Sequence, residues 1–209
     1  MARGEGQPGG AAQPYDVGVT KGRLEAFSDG VFAIIITIMV LELRPPEGAG
    51  LEDLSPLWPT FVSYSLSFAL LGTWWANHHH LLHTAKTVNG LVLWANLHLL
   101  FWLSLFPLGT AWIGETHFAP FPVAAYGTLL SLAGVAYYTL VRALIRTPGQ
   151  TPALAAAVGR DFKGKLSTVM FLLAIPVALV WPAVALAIYV AVVLLWIVPD
   201  RRMERALAE

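Results

Sequence analysis

Residues 23–43 read RLEAFSDGVFAIIITIMVLEL, and this stretch decides how the rest of the chain is interpreted. Its second half is almost entirely aliphatic, and its length matches the ~20 apolar residues that a helix needs to cross a bilayer. Ser28 and Asp29 lie near its beginning, where a carboxylate must either pair or face water. A membrane helix that is polar at one end and lined with branched apolar side chains along the rest is a candidate pore wall.

The composition indicates an integral membrane protein. Of the 209 residues, 56% are hydrophobic and 12% charged, whereas soluble domains have about 45–50% apolar and about 25% charged residues. The net charge is zero and no basic run tracks phosphate, which argues against a nucleic-acid partner. Cysteine is absent, which excludes disulfides and thiolate metal sites.

Hydrophobic segments predict an all-α protein with six transmembrane helices. Trp181-Pro182 separates the last two, because the residue before a proline avoids helical geometry. Residues 1–20 are predicted to be a disordered cytosolic leader, residues 21–199 the transmembrane domain and residues 200–209 a short cytosolic tail. The predicted spans are roughly 22–43, 58–82, 88–113, 121–145, 166–180 and 182–198.

The distribution of basic residues predicts the topology. With six spans, Arg44 alone of the 13 Lys and Arg residues falls on one side of the membrane. Short cytoplasmic loops carry the excess of Lys and Arg. We therefore expect a multi-pass protein of the cell (inner) membrane with both termini in the cytoplasm.

One face of the first helix carries an apolar stripe, with Thr37 at its edge. The ordinary explanation is that such a stripe packs against other helices or lipid; the alternative is that it lines a pore. At helical spacing the stripe consists of Phe27, Val31, Ile34, Ile38 and Leu41.

Four histidines end the second span, at His78, His79, His80 and His83. Pairs three or four residues apart share a helix face, but a metal site needs three or four ligands and this span offers no carboxylate. We therefore predict no metal site and expect histidines that form hydrogen bonds at the cytoplasmic interface, some of them to Ser28 or Asp29.

Other polar residues inside the spans are expected to have structural roles. Asn96 is predicted to form a hydrogen bond between helices. The hydroxyls of the second span are predicted to bond to their own backbone; they belong to Ser63, Ser65, Ser67 and Thr73. The chain contains no TVGYG filter, P-loop, GxSxG or HExxH sequence, so we predict that it is not an enzyme and has no carbonyl-lined potassium filter.

The first three spans carry a set of short motifs. The first is Arg23-x-x-x-Phe27-Ser28-Asp29, followed by an apolar helix that ends in Leu-Glu-Leu. The second span contains Trp75-x-x-His78, and the third contains Asn96 and a Phe-Pro pair. Together these motifs resemble the transmembrane protein 175 family, the potassium channels of lysosomes and bacteria. Six spans over roughly residues 21–200 extend the resemblance to nearly the whole chain.

The resemblance implies a potassium channel selective for potassium over sodium. Animal members carry two six-helix repeats and form dimers, so a chain with one repeat implies a homotetramer with the first helix lining a central pore. The implied partners are other copies of the chain, the lipid bilayer and permeating potassium ions, with no cofactor. The implied hydrophobic constriction consists of Ile34, Ile38 and Leu41, with Thr37 matching a threonine linked to potassium preference.

The resemblance also implies a network that ties the helices together around the pore. Its members are Arg23, Phe27, Ser28, Asp29, Trp75, His78 and Asn96. Glu42 near the outer mouth is expected to raise the local cation concentration. The alternatives are a proton-coupled secondary transporter using Asp29 and His78, and less favourably a membrane enzyme with a histidine-bound metal. The lack of an internal repeat argues against the transporter.

Overall fold

A computed structural model describes residues 20–150 and 162–197 of the chain, which are helical apart from short connections. The predicted tail, and the predicted leader except Thr20, lie outside these residues. The described part contains seven α-helices and one 3-10 helix. They are α1 (Lys21–Leu41), the 3-10 helix (Leu51–Leu57), α2 (Trp58–Thr84), α3 (Gly90–Ser104), α4 (Phe106–Glu115), α5 (Pro120–Arg146), α6 (Phe162–Val180) and α7 (Pro182–Ile197).

These helices form the six long segments of an all-α membrane protein. Four segments are long and apolar enough to cross a bilayer: α1, α3 with α4, α5 and α6. The segment α7 is apolar but has only 16 residues. The segment α2 is long, with 27 residues, but more polar, because it carries an asparagine and four histidines toward its end.

Prolines set two of the boundaries. The predicted third span, 88–113, is divided into α3 and α4 at Leu105. In a continuous helix Pro107 would have no backbone N–H to donate to the carbonyl of Leu103, and its ring would clash with that carbonyl. At the other site, α6 ends at Val180 and α7 begins at Pro182, which confirms the predicted break there.

The helix α5 is central in the bundle, and α1 lies at its edge. The helix α5 packs against α3, α4 and α6, whereas α1 packs mainly against α2, α3 and α4. Five residues of α1 face these neighbours and are buried: Leu24, Ser28, Phe32, Ile35 and Met39.

Loop contacts identify a basic end of the bundle. Lys21 Nζ donates a hydrogen bond to the carbonyl of His83 (2.8 Å), which brings the start of α1 to the end of α2. Thr87 Oγ1 donates to the carbonyl of Pro148 (2.8 Å), which brings the end of α5 to the same place. Arg44 lies at the opposite end, in a groove with Trp58. Among the described residues, Lys21, Lys86 and Arg146 therefore lie at one end of the helices and Arg44 at the other.

Candidate functional site

Three buried side chains form a hydrogen-bonded chain across α1, α2 and α3, which we call the polar lock: Ser28, His78 and Asn96. His78 Nε2 lies 2.7 Å from Asn96 Oδ1, and Asn96 Nδ2 donates to Ser28 Oγ at 2.9 Å. Because an amide oxygen can only accept, His78 Nε2 is the donor. Ser28 Oγ then donates to the carbonyl of Leu24 at 2.8 Å.

The polar lock fixes the rotation of α1 against the bundle. All three side chains are at most 1% exposed, and the ring of Phe32 packs 5.5 Å from the ring of His78. A buried donor without an acceptor costs about 1–3 kcal/mol, so rotations of α1 that break the chain are disfavoured. The predicted interhelical bond of Asn96 is present, and it links His78 to Ser28 indirectly.

Asp29 has a partner on a neighbouring helix. Its Oδ1 accepts a hydrogen bond of 2.9 Å from Trp75 Nε1 on α2. Trp75 is partly exposed, so this bond lies toward the surface beside the polar lock. The carboxylate therefore adds a second polar link between α1 and α2, made by tryptophan and not by a histidine.

Two residues of the predicted network, Arg23 and Phe27, face outward. Both are exposed. Within the part of the chain that the structure describes, the guanidinium of Arg23 forms no hydrogen bond or ion pair. The structure thus brings five of the seven predicted network residues into contacts between helices and leaves these two on the surface of the single chain.

The predicted pore residues form an exposed stripe on α1. Ile34 is 58% exposed, Ile38 43% and Leu41 77%. On a helix of 3.6 residues per turn these three lie within an arc of about 60° and are spaced about 6 Å and about 4.5 Å along the axis. Thr37 at the edge is also exposed, and its hydroxyl donates to the carbonyl of Ile34 at 2.9 Å. The stripe is on a different face from the polar lock.

Glu42 follows α1 directly, at the end opposite to the basic end. It is exposed, and its backbone N–H donates to the carbonyl of Met39 at 3.3 Å. Glu42 therefore comes directly after Leu41, the last residue of the apolar stripe.

The remaining histidines of α2 form an exposed row at the basic end. The rings of His79 and His83 stack with centroids 6.0 Å apart, and His80 is exposed beside them. Within residues 20–150 and 162–197, no three His or acidic side chains come together in a way that could hold a metal ion.

Sequence reasoning missed a second buried network, the hydroxyl cluster of Ser67, Thr110 and Tyr126. Ser67 Oγ lies 2.7 Å from Tyr126 Oη, and Thr110 Oγ1 donates to Ser67 Oγ at 2.7 Å. The expectation that Ser67 bonds to its own backbone is therefore wrong. Residues so distant in sequence carry no local signal of their pairing.

Comparisons with known proteins place this architecture among channels. Residues 23–107 match the profile of the family described as endosomal/lysosomal potassium channel TMEM175. A potassium channel of Chryseobacterium sp. (strain P1-3) is 51% identical over 191 residues, which are 91% of this chain and 100% of that protein.

More distant relatives share part of the sequence or the fold. The human endosomal/lysosomal proton channel TMEM175 is 36% identical over 96 residues, which are 40% of this chain and 19% of the human protein. The crystal structure of a lysosomal potassium-selective channel TMEM175 homolog from Chamaesiphon minutus superposes with a TM-score of 0.72 at 23% identity. The superposition covers 84% of this chain and 95% of the Chamaesiphon chain.

Proposed function

The chain belongs to the TMEM175 family of channels, and from this premise we propose that it is a potassium channel whose pore is lined by α1 of four copies. It conducts potassium in preference to sodium through a hydrophobic constriction of side chains. One chain supplies one stripe, and closed symmetric assembly of identical chains brings identical stripes to a common axis.

The observation that carries the proposal is the fixed outward direction of the apolar stripe. Ile34, Ile38 and Leu41 are exposed, while the polar lock holds the packed face of α1 against three other helices. Because these buried bonds fix the rotation of α1, identical chains would present the same apolar face to a common axis. The charge of Arg23 on the outward side also suits a water-accessible or protein-covered face better than lipid.

The stripe supports a dry constriction of three layers. Four copies would place rings of isoleucine, isoleucine and leucine over about 10 Å of the axis. An ion that crosses such a ring sheds water, and potassium holds its hydration shell less tightly than sodium, which gives the sign of the selectivity. Small side-chain movements would open or close the ring by wetting and dewetting.

Residues at the two ends of α1 complete the proposed pore. Glu42 at the outer mouth attracts cations. Arg23 and Phe27 contact a neighbouring copy at the basic end, which accounts for their exposure in the single chain. With the polar lock and the bond between Asp29 and Trp75, they hold the helices in register around the axis.

A bilayer recording tests the proposal. The purified chain is reconstituted between opposed potassium and sodium gradients, and the reversal potential should lie toward the potassium equilibrium potential. Ile34→Ser should raise the conductance and reduce the selectivity, because a polar ring no longer excludes water. Ile197→Ser is the matched control, since Ile197 at the end of α7 is similarly exposed (62%). Unchanged permeation in Ile34→Ser would remove Ile34 from the constriction.

Proton conduction is a second candidate, supported by the description of the human relative as a proton channel. Recordings in the same bilayers, with equal potassium on both sides and a pH difference across the membrane, distinguish potassium conduction from proton conduction. A reversal potential that follows the pH gradient would favour protons. Potassium flux strictly coupled to the pH gradient would favour a transporter instead.

A further inference from the structure

A cavity of about 300 Å³ lies between α2, α5, α6 and α7. None of the stripe or polar-lock residues lines it. Val135 and Tyr138 of α5 and Val169 of α6 line it and are exposed. The cavity therefore opens on the outer surface of the bundle, and its volume is at the lower end of the range for ligand pockets, about 300–1,000 Å³.

The inner walls of the cavity are apolar and aromatic. Leu70, Phe171 and Val192 are buried behind it, and Trp74 and Trp196 flank it. Three of the polar groups along the walls already have partners inside the protein. Trp196 Nε1 donates to Ser167 Oγ (3.0 Å), Thr168 Oγ1 to the carbonyl of Gly164 (3.0 Å) and Thr73 Oγ1 to that of Leu70 (2.7 Å). The walls suit a hydrocarbon chain.

The cavity has a positive charge at the basic end. Lys165, in the first turn of α6, lines it and is exposed. In the described part of the chain its ammonium forms no ion pair. Lys163 lies nearby, with Nζ 5.9 Å from the centre of the Trp196 ring. Basic pockets between transmembrane helices bind anionic lipid head groups.

We propose that this cavity is a binding site for an anionic membrane phospholipid, with one acyl chain between α5 and α6 and the head group at Lys165. The apolar walls, the opening toward the bilayer and the cation at one end match the three parts of such a lipid. The site is separate from the proposed pore, and lipid binding can be measured without ion flux.

Native mass spectrometry of the purified full chain tests the site. The chain is titrated with dioleoyl phosphatidylglycerol or dioleoyl phosphatidylcholine, and retained lipids are counted. We expect one phosphatidylglycerol per chain to be retained in preference to phosphatidylcholine. Val135→Phe fills the cavity and should reduce retention at least fivefold. Val190→Phe on α7 is the control, because Val190 is similarly exposed (44% against 48%) but does not line the cavity.

A charge variant tests the head-group contact. Lys165→Gln should reduce the preference for phosphatidylglycerol about fivefold, because one Lys near an anionic head group contributes about 1 kcal/mol. Lys86→Gln should leave the preference unchanged, because Lys86 is exposed near the same end but does not line the cavity. Glycerophosphoglycerol, which has the head group without acyl chains, should not displace the lipid.

Several outcomes would overturn the proposal. Equal retention by the wild type and Val135→Phe would show that the lipid lies elsewhere, and Val169→Phe, which fills the cavity from α6, repeats this comparison if Val135→Phe does not fold. Displacement by glycerophosphoglycerol would show a phosphate site without an acyl chain. A change in the mass of the assembly in Val135→Phe, with retained lipid unaltered, would show that a second copy covers the cavity.

Discussion

Ser28→Ala tests the polar lock, because it removes one atom from a chain of buried hydrogen bonds. Ser28 Oγ accepts the hydrogen bond of Asn96 Nδ2 and is fully buried. Without Oγ, one N–H of Asn96 keeps no acceptor in an environment that excludes water. A buried donor left in this way costs about 1–3 kcal/mol. Measured interhelical polar pairs in membrane proteins average nearer ~0.6 kcal/mol, so we expect a destabilisation of about 1–2 kcal/mol.

Ser65→Ala is the matched control. Ser65 Oγ donates to the carbonyl four residues earlier at 2.8 Å, as Ser28 Oγ does, but Ser65 is exposed and accepts no bond from another helix. The two variants lose the same local hydrogen bond, and only Ser28→Ala strands a donor. We expect Ser65→Ala to stay within about 0.5 kcal/mol of the wild type, as surface substitutions usually do.

The assay is the midpoint of thermal unfolding in detergent, followed by tryptophan fluorescence at one heating rate. For chains of about this size, 1 kcal/mol shifts the midpoint by about 2–4 °C, so Ser28→Ala should lower it by roughly 2–8 °C. In an Asn96→Leu background the donor is already absent, and adding Ser28→Ala should then cost only a few tenths of a kcal/mol.

Two results would refute this reasoning. If Ser28→Ala and Ser65→Ala shift the midpoint equally, the bond between Ser28 and Asn96 contributes nothing to stability. If the effects of Ser28→Ala and Asn96→Leu simply add, the two side chains are not coupled. In either case the rotation of α1 would have to be fixed by apolar packing and by the bond between Trp75 and Asp29.

The other predictions concern packing within the bundle. Tyr126→Phe removes one hydroxyl from the hydroxyl cluster and should lower the unfolding midpoint by about 2–4 °C, for a loss of about 1 kcal/mol; Tyr138→Phe, at an exposed position on the same helix, should not. Equal shifts of the unfolding midpoint in Tyr126→Phe and Tyr138→Phe would show that the hydroxyl cluster does not contribute to stability. Gly114→Ala should destabilise by about 1–3 kcal/mol, because its Cβ would lie 2.9 Å from the Cα of Thr60. Gly72→Ala, whose Cβ would meet nothing within 4 Å, should be neutral or stabilise by up to ~1 kcal/mol. If chemical denaturation showed Gly72→Ala to be less stable than Gly114→Ala, the close packing of α4 against α2 would be contradicted.

Local sequence features predicted the elements of this fold. The position of α1 follows from its run of apolar residues, and the break at Trp181 follows from the geometry that Pro182 imposes. The division of the third span at Leu105 was missed, although Pro107 signals it, because the whole stretch is apolar. Periodicity also identified the stripe of Ile34, Ile38 and Leu41, since residues at helical spacing share a face wherever the helix is placed.

The candidate site was predictable only in part. The motif named the members of the polar lock, but not the order in which they bond: His78 reaches Ser28 through Asn96. Trp75, and not a histidine, is the donor to Asp29. Side chains on different helices can be paired in many ways, and the sequence does not reveal which pairs meet.

The sequence by itself determined that the stretch beginning at Arg23 forms a membrane helix with a polar beginning and an apolar face, because helix length, hydrophobicity and periodicity are local properties. In the structure this helix, α1, spans Lys21–Leu41. The tertiary structure decided which face of this helix packs against the bundle and which face is exposed. The polar lock turns Ser28 toward α2 and α3, and this leaves the stripe from Ile34 to Leu41 facing outward. Only packing among helices could select that rotation, because it depends on which buried donors find acceptors on other helices.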